Sequence, residues 1–65
     1  MKQGDFGAWL GRVLARRGIS QRMLAMRSGV DHSTISRIVS GEHEPTFVTA
    51  ALLAAALGAP FVLAE

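Results

Sequence analysis

The polar chemistry in the middle of this chain is concentrated in one short run, His32-Ser33-Thr34-Ile35-Ser36-Arg37-Ile38-Val39-Ser40. Hydroxyls, an imidazole and a guanidinium are the groups that hydrogen-bond base edges and phosphate oxygens. Arg37 has the geometry to donate two N–H groups to guanine O6 and N7, a pairing that discriminates by roughly 1–3 kcal/mol. Its competing reading is a solvated arginine near a helix end. Ser33 and Thr34 are short enough to let a helix approach a duplex closely, and suit either a base or a phosphate. His32 either donates to phosphate when charged or reads a base when neutral. Ser36 and Ser40 complete this polar face. Arg22, further upstream, suits a phosphate or plain solvation.

These side chains need a helix under them, and the flanking residues specify one. Two short amphipathic segments lie on either side of a break at Gly29-Val30-Asp31. Ser20 is placed to cap a helix that begins at Gln21, with Leu24 and Ala25 turned inward. Gly29 suits the left-handed residue that closes it. Asp31 is the next cap, and its carboxylate also complements the positive end of the helix dipole. From there Ile35, Ile38 and Val39 recur at helical spacing and form a buried stripe, which leaves His32, Ser33, Ser36, Arg37 and Ser40 on the opposite face. Gly41 ends the helix. A helix, a tight turn and a second helix with a polar outer face is the arrangement that lays a helix in the DNA major groove. The stretch from Gln21 to Gly41 therefore reads as a helix-turn-helix.

The ordered set Gln21, Leu24-Ala25, Gly29, Ser33-Thr34-Ile35-Ser36-Arg37-Ile38, Gly41 and Pro45 resembles the Cro/C1-type (XRE) helix-turn-helix family, and the resemblance runs on through Leu57-Gly58. It implies an all-α fold, a small lambda-repressor-like bundle of four to five helices. It also implies a regulator that binds double-stranded DNA as a homodimer, with Gln21 clamping a phosphate through its backbone N–H and side chain. Two departures stand out. Many members carry an arginine where this chain has Leu14 and a glutamate where it has Val39, and those charges meet between the first and third helices. Both positions are apolar here, which predicts that Leu14 and Val39 touch, since a packed aliphatic pair replaces a buried ion pair at little cost. The loop Gly41-Glu42-His43-Glu44-Pro45 carries two carboxylates where relatives often place a cation, so it points away from phosphate or weakens binding.

The remainder of the chain supplies the supporting helices. Asp5 is placed to cap a first helix with Phe6, Leu10, Val13 and Leu14 inward and Trp9 at the edge, while Arg12, Arg16 and Arg17 follow its outer surface as far as Gly18. Trp9 reads as core or interface rather than a base-stacking group. Thr46 caps a fourth helix whose inward stripe is Phe47, Ala50, Leu53, Ala54 and Leu57. Its outward positions Val48, Ala51, Leu52 and Ala55 are apolar as well, which calls for a second copy, although alanine in such a place also simply favours helix. The expected helices are about 6–17, 21–28, 32–40 and 47–57. After Pro60, Phe61, Val62 and Leu63 read as a short strand whose only available partner is the same segment of another copy. That tail is similar to the one in HipB-type antitoxins, which implies an intermolecular two-stranded sheet and a toxin as a further partner. A fifth helix is the competing reading. The expected dimer interface is Val48, Leu52, Phe61, Val62 and Leu63.

Sixty-five residues make a single domain, 1–65, and a domain of this size buries only roughly 60% of its unfolded surface, which again favours self-association. Without cysteine there is neither a disulfide nor a thiolate metal site. The net charge of +2 permits polyanion binding without requiring it. The uncharged run from Pro45 to Ala64 invites a membrane reading, but it is rich in alanine and is broken by Gly58 and Pro60. No apolar core and cleavage site follow Met1-Lys2-Gln3-Gly4-Asp5, so a cytoplasmic location is expected, with no membrane contact. Glu42-His43-Glu44 is a poor metal site because adjacent residues seldom converge on one ion. No acid/base pair, nucleophile arrangement or phosphate-binding loop is present, so neither an enzyme nor a cofactor is expected. The leading function is a dimeric autorepressor on an inverted-repeat operator. The alternatives are the antitoxin of a toxin–antitoxin pair and a protein-interaction module that has lost DNA binding.

Overall fold

The computed structural model of the chain describes residues 5–58 and folds them into four helices: α1 (Asp5–Arg17), α2 (Gln21–Ser28), α3 (His32–Ser40) and α4 (Phe47–Leu57). Phe61, Val62 and Leu63 lie outside the described residues, and with them the choice between a terminal strand and a fifth helix.

Local capping fixes where the helices begin and end. Ser20 Oγ accepts from the Met23 N–H at 3.0 Å and Thr46 Oγ1 from the Thr49 N–H at 3.1 Å, each satisfying a donor that the first turn leaves open. Gly29 and Gly41 close the two helices of the central motif with φ of 78° and 87°, a conformation that costs a residue with a Cβ about 1–2 kcal/mol. After Gly41 the Glu42 N–H returns to the Arg37 carbonyl at 2.9 Å, so the last carbonyls of α3 are satisfied within the turn. Helix α1 differs from expectation. Asp5 is itself helical rather than the residue ahead of the helix, and its carboxylate complements the dipole from within the first turn.

The core joins Phe6, Leu10 and Leu14 of α1 to Leu24, Ile35, Ile38, Leu53 and Leu57, with Trp9, Val13, Ile19, Val30 and Val39 packed around it. The Trp9 ring lies against Phe6 with centroids 5.3 Å apart, and so works as core. Helix α1 crosses α3 at very short range. A Cβ at Gly7 would lie 2.0 Å from the Ile38 carbonyl oxygen, and one at Gly11 would lie 3.4 Å from Val39 Cγ1. Val39 thus seats over Gly11, one helical turn before Leu14, and both Val39 and the buried Leu14 belong to the same apolar cluster.

Phe47 departs from the expected inward stripe and is 73% exposed. Burial along that stripe rises from Phe47 through half-buried Ala50 to buried Leu53 and Leu57, so the first turn of α4 projects beyond the layer that covers the rest. The described part of α4 therefore carries two apolar faces. One packs on α2, and the other, Phe47, Val48, Ala51, Leu52 and Ala55, is open.

Candidate nucleic-acid interface

The turn from Gly29 to Asp31 sets α3 across α2 and leaves one side of α3 in solvent. Ile35 and Ile38 are fully buried and Val39 half-buried, whereas His32, Ser33, Ser36, Arg37 and Ser40 are exposed. Residues at this spacing share one face of a helix. Thr34 is half-buried beside them. Gln21, the first residue of α2, is half-buried next to the Ser20 cap, and Arg22 after it is exposed. The two helix starts are therefore each held by a side-chain cap.

At the N-terminal end of α3 the cap does more than satisfy the backbone. Asp31 Oδ2 accepts from the Ser33 N–H at 3.0 Å and also from the Ser33 hydroxyl. These two bonds, the hydroxyl foremost, hold the Asp31 carboxyl below the ordinary aspartate value of 3.8, helped by the Thr34 N–H and the neighbouring His32. At the other end Ser40 Oγ donates to the Arg37 carbonyl at 3.0 Å and lies 3.3 Å from Glu42 Oε2. Ser40 thus serves the turn that ends the helix. Glu42, His43 and Glu44 are all exposed on that turn. Among the described residues no His, Asp and Glu side chains gather as a metal site, and no helix is long and apolar enough to cross a membrane.

Three contributions escaped the sequence reading. Gly7 lets α1 back directly onto the α3 backbone. Arg17 does not simply follow the outer surface, since its Nη1 donates to the Leu57 carbonyl and ties the end of α1 to the end of α4. Met26, 82% exposed, sits on the outer face of α2 with half-covered Met23. The Gly7-x-x-x-Gly11 spacing was the available signal for the first, because small residues one turn apart mark a face where backbones approach.

A polar-faced second helix backed by a first, with a glycine turn between them, is matched by a family model described as helix-turn-helix over residues 10–63. The chain belongs to the Cro/C1-type helix-turn-helix family. No curated protein matches this helix-turn-helix chain. Among solved structures it is similar to the restriction-modification controller protein C.AhdI from Aeromonas hydrophila, at 33% identity and a TM-score of 0.78, with 83% of this chain and 82% of that chain covered. The helix-turn-helix protein is accordingly a DNA-binding transcriptional regulator, in which α2 and α3 form the helix-turn-helix.

Proposed function

We propose that this regulator is a dimeric autorepressor that reads an inverted-repeat operator through α3. The observation that carries the reading is the division of α3 into a buried apolar side and an exposed side formed by His32, Ser33, Ser36 and Arg37. Arg37 is exposed on that side, which puts its guanidinium within reach of a guanine edge. Gln21 and Arg22, at the start of α2, hold backbone phosphates and fix the register. The second copy docks on the open apolar face of α4 around Val48 and Leu52, extended by Phe61, Val62 and Leu63. Two-fold symmetry then sets the recognition helices about 34 Å apart, one helical turn of DNA. The protein acts in the cytoplasm.

The likeness to a restriction-modification controller protein favours one kind of target, the promoter of restriction-modification genes. Footprinting of the purified protein on its own upstream DNA at two salt concentrations tests the proposal. A protected inverted repeat that fades steeply with salt is the expected result. Absence of protection at low salt would overturn it in favour of a protein-interaction module, and the open face of α4 would then be the place to look for a partner such as a toxin.

A further inference from the structure

We propose that Asp31 and Ser33 act together as a specificity determinant, an acceptor-only pair that selects an exocyclic amino group, cytosine N4 or adenine N6, where the N-terminal end of α3 meets the major groove. This rests on the DNA-reading role assigned above to α3.

The argument is a count of protons and lone pairs. A serine hydroxyl has one proton to donate and two lone pairs, while an ionised carboxylate has lone pairs alone. Ser33 gives its single hydroxyl proton to Asp31 Oδ2, the same oxygen that takes the Ser33 backbone N–H. What Ser33 Oγ then offers to an outside group is lone pairs. Asp31 Oδ1, on the same exposed carboxylate, offers the same. The carboxyl is held below its ordinary range, so the pair remains charged at neutral pH. A hydroxyl cap, as at Ser20, would keep a proton of its own for outside use; an aspartate cap does not.

Each class of DNA group meets this pair differently. Phosphate oxygens are acceptors carrying negative charge, and both properties turn them away from Asp31. Guanine O6 and N7 and thymine O4 are acceptors too, so lone pairs would face lone pairs. Cytosine N4 and adenine N6 carry N–H groups and satisfy the pair directly. The two readings of Ser33 that its residue type allows, phosphate or base, are thereby separated. The hydrogen bond to Asp31 makes it a base acceptor, and the cap that starts the helix also sets what the helix start recognises.

The test is selection of binding sites by the full chain from a random double-stranded DNA library, repeated with Asp31→Asn and Ser33→Ala. Asparagine keeps an oxygen for the Ser33 N–H and adds an N–H2 donor. Circular dichroism confirms that each variant keeps its helices, and Ser33→Ala leaves the Asp31 bond to the backbone N–H in place. The wild type is expected to select cytosine or adenine at one position of each half-site by about tenfold. Asp31→Asn is expected to move that position alone towards guanine or thymine, and Ser33→Ala to flatten it. Recovery of the same letter by all three proteins overturns the proposal. So does a uniform loss over all sequences with a shallower salt dependence, which marks a phosphate contact. If the wild type selects no sequence, the reading of α3 as a DNA-reading helix fails, and the pairing with it.

Discussion

At the scale of single residues, the exposed side of α3 separates groups that are available from groups already engaged. Arg37 is exposed there. Arg37→Ala should weaken operator binding about ten- to a hundredfold in a mobility-shift titration, with the thermal midpoint unchanged. Equal loss of binding and of folding would mean that Arg37 is structural. Asp31 makes a prediction about acid. Its carboxyl is lowered in the folded chain, so the stability it contributes is complete above the unfolded value near 3.8 and is lost as pH falls through the lower folded value. Urea unfolding from pH 6 to pH 2 should show wild type and Asp31→Asn converging at the acid end and separating above it. A constant gap would show that the cap acts without its charge. Asp31 as a cap was legible in the sequence because a carboxylate before a helical stripe has few other uses. The commitment of the Ser33 hydroxyl to it was not, since a serine has many acceptors within reach and only the geometry picks one. Ser40 shows the same limit, counted with the DNA-facing set by its position and found bonded to the Arg37 carbonyl.

At the scale of elements, the capping residues and the apolar stripes carried most of the information. Ser20, Gly29, Asp31, Gly41 and Thr46 act locally, so a short window of sequence suffices to read them. The crossing of α1 on α3 depends on residues far apart in the chain, and the two glycines that allow it look in isolation like poor helix formers. They make opposite predictions. Gly7→Ala should destabilise the domain by about 1–3 kcal/mol, because its Cβ meets the Ile38 carbonyl oxygen 2.0 Å away and neither backbone has room to yield. Gly11→Ala puts its Cβ in ordinary contact 3.4 Å from Val39 and should stabilise by up to about 1 kcal/mol through helix propensity. Thermal unfolding of the two variants side by side checks both signs. Phe47 was misplaced for a related reason. Periodicity gives the side of α4 on which it falls but not how far along α4 the covering layer extends.

At the scale of the whole molecule, α4 divides its apolar surface between the core and solvent, and Arg17 fixes its far end by donating to the Leu57 carbonyl at the negative end of the helix dipole. The open side, with Val48 and Leu52 at 65% and 47% exposure, is where the second copy should sit. Val48→Glu combined with Leu52→Glu should give a monomer in analytical ultracentrifugation with helical content retained, and operator affinity should fall because each half-site is then bound alone. Persistence of the dimer would place the interface elsewhere. The seam between α1 and α3 has a consequence for redesign. Ile35, Ile38 and Val39 hold α3 in place, and none of them belongs to the set His32, Ser33, Ser36 and Arg37. Apart from Asp31, which caps the helix and reads at its start, the residues that write the address and those that hold the page are disjoint, so the operator preference of this domain should be open to recoding by surface substitution, with the hydrophobic interior left untouched.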